Sequence, residues 1–302
     1  MERICMNYEM FREQLIAAIE ELTAGEETVV LRSVPKNNGT VLEGISICEP
    51  GCVISPTVCP DAFYELFLAG VPVRVLAGRV VGEYRRCRQE VRIDQKLFES
   101  FENVRGDISA RVISRERNEA YLEELPHDEI LDLAAVYCIE MRLPGISRAS
   151  VMIRWQDLAR WEISQEEVRE AARRNMPVRD PVRVELLEQM LKQMSEEGVC
   201  DPVFHMEDPM PLYVMTNRSG MYGASVILYD NVFAPIAGSL RSDLYILPSS
   251  IHELILLPDT GLYMKEELEE MVSQVNRTQL APEEVLSDRV YRYSRVSGEL
   301  YL

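Results

Sequence analysis

The chain reads Ala149-Ser150-Val151-Met152-Ile153 and, 75 residues on, Ala224-Ser225-Val226-Ile227-Leu228. The setting recurs with the string. Residues 133–141 have the composition of a strand, Pro144-Gly145 marks a turn, the first string reads as the returning strand, and a helix begins near Gln156. Residues 212–216, the turn Ser219-Gly220, the second string and a helical segment from about Asn231 repeat that order. Apolar and β-branched runs bounded by Gly and Pro carry the strand-and-turn signal. A looser version runs through 244–247, 253–257 and a helix over 265–275. The N-terminal hairpin and its helix stand as a fourth. A hairpin leaves one apolar face that a helix must cover. The expected fold class is therefore α+β: antiparallel sheets built from repeated β-hairpin-plus-helix units, with helices covering the sheet faces.

Further elements are placed outward from there. Tyr8, Phe11, Leu15, Ala18 and Leu22 recur at three- and four-residue steps, the apolar stripe of a helix over 7–23 that Gly25 ends. Strands 29–36 and 40–47 flank Asn37-Asn38-Gly39, because Asn-Gly accepts the positive φ of a tight hairpin turn. Pro35 offers no N–H to a ladder, which puts its strand at a sheet edge. A short strand over 52–58 follows, then a helix over 61–69 opened by Pro60. The helix over 73–89 buries Val73, Leu76, Val80, Tyr84 and Cys87. Residues 94–104 read as helix and 108–113 as strand. Ser164 and Glu167 form a capping box, and Pro282-Glu283-Glu284 starts another helix. A helix over 184–194 lies within a surface excursion, 177–210. The pattern is poorest between about 105 and 127, so two lobes are expected, 1–115 and 116–302.

Charge and composition exclude several classes. The 32 Lys and Arg stand against 50 Asp and Glu, a net charge of −18. Nucleic-acid and anionic-membrane partners are therefore unexpected, since both need basic residues to displace counterions or meet lipid phosphates. With 47% apolar and 27% charged residues, a disordered tail or a disulfide-stapled mini-protein is excluded. Uncharged stretches reach only the length of 219–229, whereas a membrane span needs about 20 apolar residues. The seven Cys form no C-x-x-C pair, and no apolar signal segment follows the first residues. Reduced thiols and a cytoplasmic location are expected. Met6 is a second candidate start, because the helix pattern begins just after it.

Few residues combine into chemistry. His127, His205 and His252 are far apart, so no metal is expected, and Cys48, Cys52 and Cys59 read as small buried hydrophobes. No phosphate-binding loop or dinucleotide fingerprint occurs, so no cofactor is expected. Ser249, Ser250 and His252 invite a hydrolase reading. In an extended chain, however, Ser250 and His252 stand roughly 6.6 Å apart, too far for a nucleophile–base hydrogen bond. The competing reading has the serines turning the chain into a buried strand. Arg85, Arg88 and Arg92 form the one basic stretch, either pairing with the protein's own carboxylates, which the acidic surround favours, or making an anion or partner site. Cys87 among them reads as core. Trp155 and Trp161 flank a short helix and read as packing residues. Asn217 joins Ser249 as a candidate binding residue.

Several stretches resemble one family: Lys36-Asn37-Asn38-Gly39, Ile54-Ser55-Pro56-Thr57, Phe63-Tyr64-Glu65, Ile163-Ser164-Gln165-Glu166-Glu167, Tyr213-Val214-Met215-Thr216-Asn217, Gly223-Ala224-Ser225, the run from Ser242 to Glu253, and the run from Ala281 to Tyr291. The chain is similar along nearly its whole length to an uncharacterised bacterial family, common in Firmicutes, known as a domain of unknown function. The second half also resembles another uncharacterised bacillary family ending in Leu-Ser-Asp. Neither resemblance implies an activity, so neither transfers a catalytic residue. Relatives of the first tend to lie among genes of mobile elements.

Three functions are weighed. The leading one is a non-catalytic cytoplasmic interaction or regulatory protein with a protein partner. The alternatives are a hydrolase-like enzyme centred on Ser249, Ser250, His252 and Asn217, and an acidic mimic of DNA. Whether the chain is an enzyme is left open.

Overall fold

The apolar stripe of the opening segment folds as helix α1 (Tyr8–Thr23), with Phe11, Leu15 and Ile19 fully buried. The computed structural model describes residues 7–23, 27–48, 57–90, 95–143, 146–196 and 211–302. Gly25 and most of the expected strand over 52–58 lie outside them, as do some side chains inside elements, Cys87 and Arg88 among them. Among the described residues no helix is long and apolar enough to cross a membrane.

The chain divides into two compact units. The first comprises Met1–Lys36, Thr40–Leu97 and Met141–Ala149. Here strands β1 (Thr28–Pro35) and β2 (Val41–Cys48) form an antiparallel hairpin in which Pro35 faces Val41. β3 (Thr57–Val58) pairs with β2, which leaves β1 and its proline at the edge. Helices α2 (Asp61–Leu68) and α3 (Val73–Glu90) follow. Leu76, Val80 and Tyr84 of α3, Phe11 and Leu15 of α1, and Ile45 and Ile47 of β2 make one core.

The second unit comprises Asn37–Gly39, Phe98–Glu140 and Ser150–Leu302. Short helix α4 (Phe101–Val104) leads into β4 (Ile108–Ser114), and α5 (Glu119–Leu122) leads into β5 (His127–Ile130) and β6 (Leu133–Leu143). β6 pairs antiparallel with β4 and β5, and β7 (Ile146–Met152) also pairs with β6. Helix α6 (Trp155–Trp161) follows, then α7 (Gln165–Arg179). The Ser164 hydroxyl accepts from the Glu167 N–H while Glu167 reaches back to the Ser164 N–H, the expected capping box. Trp161 is buried beside Phe101, whereas Trp155 is exposed.

A six-stranded antiparallel sheet forms the rest. It contains β8 (Val182–Leu186), β9 (Tyr213–Asn217), β10 (Leu244–Leu247), β11 (Leu254–Pro258), β12 (Tyr291–Tyr293) and β13 (Leu300–Tyr301), in the order β13-β12-β10-β11-β9-β8. Helices α8 (Leu187–Glu196), α9 (Ala234–Leu240) and α10 (Lys265–Thr278) accompany it. Side chains alternate between faces along a strand. Leu244, Ile246, Leu254 and Leu256 therefore share one core with Met215 and Tyr291. Tyr245, Leu247 and Leu257 meet Leu268 and Val272 of α10 on the other face.

The α+β class with antiparallel sheets is the one expected, and β1–β2, β6–β7 and β10–β11 are hairpins accompanied by helices. The second Ala-Ser-Val string departs from the pattern. It is not a strand: Gly223–Leu228 form a 3-10 turn, buried from Gly223 through Ile227. A buried stretch must satisfy its own N–H groups. Ser225 N–H donates to Tyr222 O and Tyr229 N–H to Val226 O, three residues back, while Ala224 N–H donates to Ile251 O. The helix expected over 184–194 also needs correction. Val182, Val184 and Leu186 alternate with Arg183 and Glu185, and this stretch pairs in full register with β9 before α8 begins. Its period of two was masked by the helical pattern that follows it.

Candidate functional site

The Ser249–His252 segment joins β10 to β11. Its backbone is tied to the chain near the C-terminus. Ile251 N–H donates to Glu284 O, Leu286 N–H to Ser249 O and Ser287 N–H to Pro248 O, each at 2.9 Å. Ser250 is buried, and its hydroxyl oxygen accepts the His252 backbone N–H at 3.0 Å. The Glu253 carboxyl lies close to this hydroxyl. Burial lifts that carboxyl above its ordinary value of 4.5, while Ser250 and His252 pull it back. The His252 ring faces elsewhere. Its Nδ1 accepts the Tyr222 N–H at 3.3 Å, and its Nε2 stands 3.7 Å from Glu284. Among the described residues no hydrogen bond joins the Ser250 hydroxyl to the His252 ring.

Asn217, at the end of β9, is buried, donates to Met221 O at 2.9 Å and accepts from the Ser219 hydroxyl at 3.0 Å. It lies apart from Ser250 in hydrogen bonding but close in the fold, because Thr216 donates to the His252 carbonyl at 2.7 Å. Gly223 fills the gap between them. A Cβ there would fall inside 3.0 Å of both Thr216 Oγ1 and the His252 carbonyl oxygen. In the first unit, Arg85 donates to Leu22 O at 3.2 Å, satisfying a carbonyl at the end of α1. The Arg88 side chain and all of Arg92 lie outside the described residues.

The structure adds a cleft that the sequence did not bring together. β4 presents Arg111, and the turn 219–223 presents Tyr222. The Arg111 guanidinium lies over the Tyr222 ring, 3.9 Å from its centroid. Tyr222 has left-handed backbone angles, φ 50 and ψ 32, a strained conformation for an aromatic residue that its neighbours must hold in place. They do so through the His252 Nδ1 bond above and the tight seat of Gly223. Asp180, Ser225, Asn217, Glu140 and Tyr229 also line the cleft. Ser225 Oγ accepts the Val112 N–H at 3.1 Å, which satisfies the outer edge of β4. Asp180 accepts the Ser219 N–H at 2.9 Å, and it shares the single Ser219 hydroxyl proton with Asn217 Oδ1, at 2.8 and 3.0 Å.

A second, wider hollow of about 690 Å³ has Glu266, Glu269 and Glu270 of α10 on its rim, with Asp132, Asp288, Arg117 and Arg289. Its polar groups are tied together: Ser287 donates to Asp132 at 2.6 Å, Asn276 to Asp288 at 2.7 Å, and Arg117 pairs with Asp288 at 2.9 Å. Among the described residues no cluster of His, Cys, Asp or Glu could hold a metal ion. The Asn37–Gly39 turn packs nearby, with Asn38 donating to Asn118 Oδ1, Pro282 O and Val285 O.

These features define the class: an α+β protein of antiparallel sheets with covering helices, whose matched motifs mostly tie strand ends and turns together. The chain belongs to a family of unknown function, DUF5688, whose model matches residues 8–295. This bears out the expected membership. No curated protein and no solved structure matches the chain.

Proposed function

We propose that this chain is a non-catalytic interaction or regulatory protein of a bacterial cytoplasm, and that it holds a protein partner against helix α10. The observation that carries the reading is an uncovered apolar stripe. Met264, Met271 and Val275 follow one another at seven- and four-residue steps, so they share one side of the helix beside the buried Leu268 and Val272. They remain 67%, 52% and 42% exposed, and Leu262 just before them is 73% exposed. Contiguous exposed apolar surface marks contact sites, and methionine adapts to varied partners. The commitments of Ser250 and His252 support the non-catalytic part, since the Ser250 hydroxyl takes up the His252 backbone N–H and, among the described residues, no hydrogen bond joins it to an imidazole base.

The test is capture from a bacterial lysate of the source, with the wild-type chain and a Met271→Glu, Val275→Glu double variant immobilised side by side. A protein retained by the first and lost by the second supports the proposal. Identical retention by both, or none by either, overturns it. A fluorophosphonate probe that labels Ser250, with labelling abolished by His252→Ala, would overturn the non-catalytic part.

A further inference from the structure

We propose that the cleft between β4 and the 219–223 turn is a receptor for a single carboxylate group, gripped by Arg111. Arg111 is partly buried in a protein with a large excess of acids, yet among the described residues it has no carboxylate partner. Its guanidinium lies over the face of Tyr222. Stacking leaves the in-plane N–H groups of a guanidinium unused, and these form the fork that grips a carboxylate. Nε of Arg111 is in fact buried with no acceptor, a state that favours the arrival of one.

Two more donors converge on the cleft. The Ser225 hydroxyl accepts from Val112, and its own proton has no acceptor among the described residues. The Asn217 amide uses one N–H on Met221 and has a second to give. Three donors around one opening call for an acceptor group. The space is small, about 20 Å³, so only the end of a ligand enters it and the body stays outside. The remaining charges set its valence. Arg179, Asp180 and Glu140 also line the cleft, so the two cations and two carboxylates of the lining balance. A monoanion meets little repulsion there, whereas a dianionic phosphate faces both acids. This inference does not depend on helix α10.

The experiment is calorimetric titration of the full chain with acetate, with N-acetyl-Gly-Gly bearing a free C-terminus, with the same peptide amidated, and with inorganic phosphate. Saturable binding of acetate or of the peptide acid is expected, and the better of the two identifies a free or a chain-end source. The amide should not bind, and phosphate should bind more weakly than the better carboxylate. Arg111→Ala should weaken carboxylate binding about tenfold or more, as for loss of a charge-assisted hydrogen bond. Arg111→Lys, which keeps the charge and loses the fork, should fall between. Circular dichroism checks that both variants remain folded. Absence of saturation by either carboxylate, unchanged binding in a folded Arg111→Ala, or phosphate or amide binding as tightly as the acids overturns the proposal.

Discussion

Replacing Gly223 with Ala should damage the second unit through one methyl group. The new Cβ would lie inside 3.0 Å of Thr216 Oγ1 and the His252 carbonyl oxygen and 3.0 Å from the Asn217 backbone nitrogen. Two of these atoms are backbone, and the third donates the 2.7 Å bond that joins β9 to the His252 segment. Overpacking of this kind costs about 1–3 kcal/mol. Losing the Thr216 bond adds about 1 kcal/mol. Lower entropy of the unfolded chain offsets up to about 1 kcal/mol. The net loss should be about 2–3 kcal/mol, which lowers the melting temperature by about 5–10 °C at this size. Trp155 and Trp161 both belong to the second unit, so their fluorescence during urea unfolding reads the loss directly. Gly78→Ala and Gly82→Ala give the opposite sign. Both glycines are exposed in α3 with nothing within 4 Å of the added carbon, so each should gain about 0.5–1 kcal/mol by circular dichroism. An unchanged midpoint for Gly223→Ala, or a loss of similar size in the helix variants, would refute the reasoning.

Glu253 should make stability depend on pH. Its carboxyl titrates above the ordinary 4.5, chiefly through burial, so the folded state holds the proton more tightly than the unfolded state. Its contribution is fully favourable below 4.5 and falls as pH rises through the folded value. Glu253→Gln should therefore stabilise the chain at neutral pH relative to wild type, with the difference closing in acid, as urea midpoints across pH would show. Ser164→Ala should cost about 1 kcal/mol by removing the acceptor for the first turn of α7, and the measure is again the urea midpoint; no change would mean that the cap is dispensable.

Local signals made much of the fold legible. The α1 stripe, the Asn-Gly turn, the Ser164 box and the β10–β11 alternation depend on residues a few positions apart. The misread stretches depend on distant ones. Val226 and Ile227 favour a strand by type, but Gly223 wedged under His252 and the left-handed Tyr222 set the 3-10 turn. β8 is a strand because β9 lies beside it, and residues 182–186 alone do not distinguish that from the start of α8. The cleft was illegible for the same reason. Arg111 and Tyr222 are 111 residues apart, and the glycine-bearing segment around Tyr222 looks like an ordinary turn. Of the cleft's polar residues, Asn217 and Ser225 lie in stretches that carry a sequence signal, and of these two only Asn217 is a candidate binding residue on that signal.

The reading of the Ser249–His252 segment as a tie within the fold rests on which way the His252 ring is held. Long-range proton–nitrogen NMR correlations of His252 in the full chain test this directly. With Nδ1 accepting the Tyr222 N–H, the neutral ring should carry its proton on Nε2, beside Glu284, and Tyr222→Ala should leave that tautomer intact because the donor is backbone. A proton on Nδ1, with a bare Nε2 turned to the Ser250 hydroxyl, would contradict the account and restore a nucleophile–base pair.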